Sequence, residues 1–341
     1  MSNIIKETLI FDQINKIMKN TVKLLNLLTQ TNGYISGQAL AEQLGVSRQA
    51  VWKTISALKE QGYKILSVPN KGYRLESLPS YLNEAAIRRE LKTSILGKNL
   101  IVLDSVGSTN DYLKELDTNG CENGTVAAAR EQLHGKGRLG RIWSAKKDEC
   151  LMFSVLLRPH IVPGEVAAIT PLTGLAVCKA LRKATRLDCR IKWPNDVIVG
   201  SKKLCGILTE MSAEFDAVEY VIAGIGINVS QTEFPNEIAY KATSLALETK
   251  RSFDQNKLLA VILGELEHIF TKTNLSMTRD ALDEYIPLCA TIGKNVSFQR
   301  GSSRVSGTAA DVSNRGELMV MMPDGTICLV NAGEVTVQGI Y

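Results

Sequence analysis

Residues 131–143, EQLHGKGRLGRIW, interleave glycines with three cations and end on an aromatic residue. The hexapeptide G-K-G-R-L-G fits the G-x-G-x-x-G template of a dinucleotide-binding turn. That template requires a helix directly after its glycines and an acidic residue about 20 positions further on. Here RIWSAKKDEC and the strand-like LMFSVLLRP follow instead, and residues 155–162 contain no acid. The match to the template is therefore incidental.

The composition of this loop also suits a phosphate-bearing nucleotide. Glycines let a backbone approach a ligand closely and let a loop change its conformation. Arg138 and Arg141 could meet phosphates, and Trp143 could stack on a base. A flexible basic surface loop would have the same composition, so this segment alone leaves both interpretations open.

The segments that follow indicate the elements that must position this chemistry. Residues 190–210, RIKWPNDVIVGSKKLCGILTE, have the pattern of three strands separated by a Pro-Asn-Asp turn and a Gly-Ser turn. Residues 219–230, EYVIAGIGINVS, predict a further apolar strand that ends in glycines and an asparagine. A helix over about 164–185 is expected to cover this sheet. The pattern indicates an α+β architecture.

Residues 36–60, SGQALAEQLGVSRQAVWKTISALKE, have the spacing of a helix-turn-helix. Two short helices, each with an apolar stripe, flank Gly45, which supplies the backbone freedom of a tight turn. Ser47 is a good N-cap for the second helix. The stripes consist of Leu40, Ala41 and Leu44 in the first helix and of Val51, Ile55 and Leu58 in the second. With an upstream helix, VKLLNLLTQ, and two short strands around P-N-K-G, this predicts a winged helix-turn-helix domain over residues 20–79.

This first domain carries the net charge of the chain. Residues 1–80 hold ten Lys and Arg against five Asp and Glu, so the net charge of +5 belongs to this part. A basic domain joined to a neutral one indicates an anionic partner, and the second helix would enter the major groove of DNA. A domain that mediates only protein contacts is the alternative. The candidate DNA contacts are Ser47, Arg48, Gln49 and Lys53 on the helix, where Gln49 and Lys53 could reach base edges, and Lys59, Lys64, Lys71 and Arg74, which could bind phosphates.

Composition argues against several other classes of protein. The seven cysteines are odd in number and no two form a C-x-x-C, which argues against a disulfide framework and a zinc site. The three histidines form no H-E-x-x-H. Since no apolar run approaches about 18 residues and the N-terminus lacks the features of a signal peptide, we expect a cytoplasmic protein without a membrane partner.

Five segments occur in the order and spacing found in biotin–protein ligases: GSTND, EQLHGKGRLGRIW, KWPND, KKLCGILTE and GIGINVS. With the winged helix, the chain resembles, from about residue 20 onward, the bacterial family in which one chain is both biotin ligase and repressor of the biotin operon. The resemblance implies a mixed-sheet catalytic domain, similar to class II aminoacyl-tRNA synthetases, over 83–277. It also implies a C-terminal SH3-like β-barrel over 286–341, where short alternating segments and G-S-S, N-R-G and P-D-G turns already indicate a small β-barrel.

The resemblance further implies that biotin and ATP give biotinyl-5′-adenylate and pyrophosphate, after which biotin passes to a lysine of a carrier domain of acetyl-CoA or pyruvate carboxylase. Lys203 would contact the biotin carboxyl and the α-phosphate, Lys192 would offset triphosphate charge, and Arg138 would keep the adenylate from escaping. The biotin pocket would comprise Ser108, Thr109, Asn110, Gln132, Lys136, Gly137, Arg138, Lys203 and Gly206. The nucleotide site would comprise Arg138, Arg141, Trp143, Lys192 and Asn228, and Mg²⁺ would bind Asp196 and Asn228.

As a repressor, the chain would use the biotinyl-adenylate as corepressor, form a homodimer on ligand binding, and bind operator DNA of biotin synthesis or transport genes. A ligase whose winged helix no longer regulates, a ligand sensor with a dead catalytic domain, and a relative of lipoate ligases are the alternatives. Leu133, His134 and Lys136 depart from the family pattern, which puts biotin affinity and loop behaviour in doubt. Residues 1–19 form an extension, either an extra amphipathic segment or the product of a start codon upstream of Met18.

Overall fold

The structure, a computed structural model, describes residues 20–341 except 22, 32, 61, 78–80, 119, 215–216 and 332–334. The predicted extension 1–19 lies outside the described residues. The described chain divides into two compact units, the first ending at Arg89 and the second beginning at Glu90.

The first unit contains the predicted helix-turn-helix. Its elements are α1 (helical at 20–21 and 23–30), α2 (Gly37–Leu44), α3 (Arg48–Glu60), β1 (Lys64–Val68) and β2 (Gly72–Ser77), followed by α4 (Glu84–Glu90). Gly45 adopts φ 64° and ψ 38°, the left-handed conformation that ends α2 at low cost because glycine has no Cβ. Ser47 Oγ accepts the backbone N–H of Ala50 at 3.1 Å, so the predicted N-cap of α3 is confirmed.

The apolar stripes of α1, α2 and α3 form the core of this unit. The predicted inward positions Val51, Ile55 and Leu58 are each at most 2% exposed. Strands β1 and β2 pair antiparallel across the turn at residues 69–71, as the P-N-K-G segment predicts. This hairpin lies where the sequence predicts the wing, and we call it the wing.

The second unit is built on a seven-stranded mixed sheet in the order β3-β4-β5-β9-β8-β7-β6. Strands β3 and β4 are parallel and every other adjacent pair is antiparallel. The strands are β3 (Leu100–Leu103), β4 (Val126–Ala129), β5 (Cys150–Leu157), β6 (Cys189–Lys192), β7 (Asp196–Val199), β8 (Lys202–Glu214) and β9 (Ala217–Asn228). The three strands expected within 190–210 and the one within 219–230 are therefore confirmed. Strand β5 is buried at all eight positions, which explains its continuous apolar sequence.

Helices pack around this sheet. They are α5 (Thr109–Asp117), α6 (Ile169–Thr185), α7 (Asn236–Ala239), α8 (Leu245–Thr249), α9 (Gln255–Thr273) and α10 (Arg279–Tyr285), with 3-10 turns at Arg138–Gly140, Pro163–Ala168 and Ile286–Leu288. The helix expected over about 164–185 becomes α-helical only at Ile169. Pro171 has no N–H to donate and its ring crowds the carbonyl four residues earlier, so the preceding turn is a 3-10 helix.

Helix α6 with its preceding turn, Pro163–Thr185, has the length and hydropathy of a membrane span. However, 72% of its most apolar window is buried inside the folded chain, which is typical of a core helix in a soluble domain.

The last part of the second unit is a five-stranded antiparallel sheet in the order β13-β12-β11-β10-β14. Its strands are β10 (Asn295–Arg300), β11 (Ser303–Val312), β12 (Leu318–Met321), β13 (Ile327–Val330) and β14 (Val335–Val337). The turn before β12 packs on the end of β6, where Trp193 Nε1 donates to the carbonyl of Gly316 at 2.9 Å. The C-terminal sheet thereby supports the β6–β7 turn.

Candidate functional site

The floor of the site is a glycine-lined face of β8 and β9. Gly206 pairs with Gly226, and Gly224 lies two residues earlier on β9. A Cβ atom placed on Gly226 would lie 2.6 Å from the indole of Trp143, and one on Gly224 would lie 2.3 Å from Oδ1 of Asn110. Only glycine lets these side chains lie directly on the backbone of the sheet.

A network of buried polar groups lies at the start of α5, beside this face. The backbone N–H and the hydroxyl of Thr109 both donate to Oε1 of Gln132, at 2.7 and 3.0 Å. Asn110 Nδ2 donates to the Glu210 carboxylate at 2.7 Å. Ser154 Oγ lies 2.6 Å from Thr109 Oγ1 and 2.6 Å from Asn110 Oδ1. These bonds hold hydrogen-bonding groups in one orientation at the edge of a cavity.

That cavity has a volume of about 50 Å³. All the residues predicted for the biotin pocket line it: Ser108, Thr109, Asn110, Gln132, Lys136, Gly137, Arg138, Lys203 and Gly206. The sequence did not point to Ser154 or Glu210. The only signal for Ser154 is a hydroxyl in the middle of the apolar run CLMFSVLL.

A second cavity, of about 410 Å³, adjoins the first. All the residues predicted for the nucleotide and metal sites line it: Arg138, Arg141, Trp143, Lys192, Asp196 and Asn228. The two cavities share Gly137, Arg138, Trp143, Asn195 and Lys203. The second cavity also has an aromatic and apolar wall that sequence reasoning missed, formed by Phe234, Ile238 and Tyr240.

Three of the charged groups that line the larger cavity lie on neighbouring strands. Lys192 and Asp196 are cross-strand partners at the β6–β7 turn, and Lys203 is the second residue of the next strand, β8. The Nζ of Lys203 lies 2.7 Å from Oδ1 of Asp196, an ion pair whose angle does not make a hydrogen bond. Lys203 Nζ is also 5.7 Å from the centroid of the Trp143 ring. Lys192 is 9% exposed, so its ammonium is a largely desolvated charge facing the cavity.

Loop 131–143 is held by two side-chain contacts, one to α5 and one to the β6–β7 turn. Lys136 Nζ lies 2.7 Å from the Asp111 carboxylate on α5, and this hydrogen bond raises the pKa of the lysine. Arg138 Nη1 donates to Oδ1 of Asn195 in the β6–β7 turn at 2.9 Å. Between them the chain folds back, with Gly137 N–H donating to the carbonyl of Arg141 at 2.7 Å. The loop therefore covers both cavities.

Asn228 closes the larger cavity beneath the loop. Its Nδ2 donates to the carbonyl of Thr243 at 2.9 Å, and its Oδ1 accepts from Gln231 Nε2 at 3.2 Å and from the Cys150 thiol at 3.4 Å. Burial raises the pKa of Cys150 to about 12 and that of Cys205 well above its usual value. Both thiols stay protonated at neutral pH, so neither supplies a thiolate nucleophile.

In the first unit, α3 presents a polar outer face. Arg48, Gln49 and Lys53 are exposed, as is Lys71 in the turn of the wing. Trp52 on the same helix is 58% exposed, which adds an aromatic side chain to this face. Two of the side chains predicted to bind phosphates, those of Arg74 and Lys59, have partners within the unit.

Arg74 lies 3.7 Å from Glu76 and packs on the Tyr34 ring at 5.2 Å, while Lys59 donates to Ser67 Oγ at 2.8 Å. These partners fix the directions of the two side chains on the wing and on the end of α3. The roles predicted for all of these residues in DNA binding stay predictions.

Comparison with known proteins defines the class. The biotin/lipoate A/B protein ligase family matches residues 102–228, and a helix-turn-helix domain family matches residues 21–74. The fold is therefore that of a biotin-ligase catalytic domain on a mixed sheet, joined to a helix-turn-helix domain.

Curated relatives narrow the class further. The chain is 36% identical to the bifunctional ligase/repressor BirA of Bacillus subtilis, over 90% of this chain and 96% of the relative. It is 29% identical to the protein of the same description in Escherichia coli, over 94% and 98%. The solved biotin protein ligase from Aquifex aeolicus in complex with biotin and ATP has a TM-score of 0.61 at 31% identity, covering 71% of this chain and 99% of that one. The chain belongs to the family of bifunctional ligase/repressors.

Proposed function

We propose that this chain joins biotin to ATP, forming biotinyl-5′-adenylate and releasing pyrophosphate, and then transfers biotin to a lysine of a carrier domain. The observation that carries this function is the pair of adjoining cavities that share Lys203 and Arg138. The smaller cavity has fixed donors and acceptors for a neutral polar ring. The larger one is lined by cations suited to a triphosphate, among them the buried Lys192. The reacting carboxyl and α-phosphate would meet at their junction.

The chemistry explains why Lys203 stands at this junction. A carboxylate oxygen forms a bond to the α-phosphorus while the bond from that phosphorus to the bridging oxygen breaks, and pyrophosphate leaves. Two anions must approach each other, so fixed positive charge is needed where negative charge develops. In the second step the lysine amine of the carrier attacks the biotinyl carbonyl and AMP leaves. Neither step needs a covalent protein nucleophile.

The polar network at α5 supports the smaller cavity as the biotin subsite. Its groups match a cyclic urea, which offers a carbonyl acceptor and two N–H donors. At about 50 Å³ the cavity is far smaller than the roughly 300–1,000 Å³ of pockets for small ligands. Trp143 lies over Gly226 and occupies the space between the two cavities. Binding of biotin therefore requires loop 131–143 to shift, and Trp143 would then stack on the adenine.

The donor set of the larger cavity fits Mg²⁺. Asp196 Oδ1 is a buried carboxylate oxygen that makes no hydrogen bond in the described structure, and Mg²⁺ prefers oxygen ligands while keeping several waters. Asn228 would join Asp196 as a ligand by exchanging the bonds that Gln231 and the Cys150 thiol donate to its Oδ1. When bound, the metal would neutralise phosphate charge. Lys192 would hold the triphosphate from the other side of the β6–β7 turn.

The repressor function is assigned to the first unit. The exposed face of α3 and the wing would contact operator DNA of biotin synthesis or transport genes, with biotinyl-adenylate as corepressor. Ligand binding would favour a homodimer, which presents two recognition helices to a palindromic operator. The carrier would be that of acetyl-CoA or pyruvate carboxylase, and the protein would act in the cytoplasm.

The finer domain organisation belongs to the same proposal. It comprises a winged helix-turn-helix over 20–79, a catalytic domain similar to class II aminoacyl-tRNA synthetases over 83–277, and an SH3-like barrel over 286–341 containing the C-terminal five-stranded sheet.

One preparation tests both activities. The protein is incubated with biotin, Mg·ATP and a purified carrier domain, and labelled carrier and pyrophosphate are measured. The same preparation, with and without biotin and ATP, is then tested by gel shift on DNA upstream of biotin genes. We expect labelling and a shift that depends on the adenylate.

Lys203→Ala should lower the rate of pyrophosphate release by about 10²–10³, as removal of a fixed catalytic donor typically does. Lys202→Ala is the matched control, because Lys202 is exposed and lines neither cavity. A shift without labelling would identify a sensor rather than an enzyme. Labelled carrier without a gel shift would indicate a ligase that does not bind this DNA.

A further inference from the structure

Tyr341 lies in the larger cavity although no motif of the sequence points to it. It follows β14, where a bridge between Val337 and Ile340 holds the chain, and it lines the cavity together with Val335 and Thr336. Ile340 is 4% exposed and supplies the packing of this segment against the protein core, whereas Tyr341 stays partly exposed at the cavity wall.

The contacts of Tyr341 are with charged groups of the proposed nucleotide site. Its hydroxyl donates to Oδ2 of Asp196. The Nζ of Lys192 lies 3.4 Å from the centroid of its ring, well inside the roughly 6 Å range of a cation–π interaction. Because Asp196 Oδ1 faces Lys203, one carboxylate is held from two sides, by a cation and by a phenol. The tyrosine thus connects both charged residues of the β6–β7 turn.

We propose that Tyr341 is a positioning residue for Mg·ATP, through which the C-terminal sheet takes part in adenylation. Its hydroxyl holds the Asp196 carboxylate in one rotamer, and its ring holds the Lys192 ammonium toward the cavity. Without it, both side chains would have to be ordered when the nucleotide binds, and the affinity for Mg·ATP would fall. The inference rests on the proposed function, because it assigns the larger cavity to ATP.

The test separates the two contacts. Tyr341→Phe removes the bond to Asp196 and keeps the ring, and Tyr341→Leu removes both contacts. We expect Tyr341→Phe to raise the KM for Mg·ATP about tenfold, the order that loss of a hydrogen bond to a charged group produces. Tyr341→Leu should raise it further. The KM for biotin and the Tm should stay unchanged. Gln338→Ala is the matched control, since Gln338 is exposed on the same segment, is not among the residues that line the larger cavity, and accepts a hydrogen bond from Asn295 Nδ2 at 3.0 Å.

Equilibrium binding of a non-hydrolysable Mg·ATP analogue gives a readout that does not depend on turnover. In an Asp196→Asn background, Tyr341→Phe should add no further loss of affinity, because the tyrosine acts through that carboxylate. Unchanged nucleotide affinity in Tyr341→Phe, or a lower Tm with an equal loss for every substrate, would overturn the proposal. If the wild type bound the analogue but released no pyrophosphate, the proposed function would fail, and the binding comparison would still decide the role of Tyr341.

Discussion

At the scale of single residues, the site depends on glycines, which have no side chain, as much as on the side chains that pack against them. Gly224 and Gly226 leave the backbone of β9 bare, and Asn110 and Trp143 lie on it. Asn110 is 3% exposed and is held between Ser154 and Glu210. It therefore has little freedom to move away from a new side chain.

This crowding makes a prediction about Gly224→Ala. The added methyl would lie 2.3 Å from Asn110 Oδ1, so Asn110 must leave its partners and the biotin subsite must distort. We expect the affinity for biotin to fall at least about tenfold, the effect of one lost hydrogen bond to a charged group such as Glu210. Titration calorimetry with biotin measures it.

Gly264→Ala is the control for this change, since nothing lies within 4 Å of a Cβ at that position of α9. It should leave biotin binding unchanged and stabilise the fold by about 0.5–1 kcal/mol, the usual difference between alanine and glycine in a helix. Wild-type biotin affinity in Gly224→Ala would mean that Asn110 does not form the subsite.

At the scale of elements, the proposed function gives the wing and α3 different tasks. The exposed face of α3 carries Gln49 and Lys53, which suit base edges, whereas Lys71 in the β1–β2 turn suits a phosphate. A phosphate contact adds affinity for every sequence and releases counterions, but it carries no sequence information.

Lys71→Ala should therefore weaken binding to operator and to unrelated DNA by the same factor. The slope of log K against log salt should become shallower by about 0.9, the value for one phosphate contact. Fluorescence anisotropy at several salt concentrations measures both quantities. Lys257→Ala, an exposed lysine at the start of α9, is the control. A selective loss on the operator alone would instead place Lys71 at a base.

At the scale of the whole molecule, the two proposed activities lie in separate compact units. Each unit has its own core, and the described residues that line the two cavities belong to the second unit. The Aquifex ligase, solved in complex with biotin and ATP, matches 71% of the length of this chain and 99% of its own. Adenylation should therefore not need the first unit.

A fragment of residues 90–341, which is the second unit, tests this separation. It should fold, release pyrophosphate at a rate close to that of the full chain and label the carrier, but it should not shift operator DNA. Circular dichroism and gel filtration establish whether the fragment is folded. A folded fragment without adenylation activity would show that the first unit contributes to the catalytic site.

Local patterns in the sequence predicted the elements and the residues that line the two cavities. Burial at helical spacing predicted the stripe of Val51, Ile55 and Leu58, and the N-cap rule predicted Ser47. The ordered motifs pointed to every predicted residue that lines the two cavities. These features can be predicted from the sequence because they depend on neighbours in the chain. The cavity residues belong to motifs for which the family resemblance already implies that distant residues share a site.

Only the tertiary structure decided how distant groups meet. Tyr341 lies 145 positions from Asp196, and Ser154 reaches Asn110 across 44 positions; neither contact follows from spacing along the chain. Which glycine lies beneath which side chain depends on the register of β8 and β9 and on the path of loop 131–143 over them. Register and loop path are set by packing of the whole second unit, whereas sequence periodicity reports only which face of an element is buried.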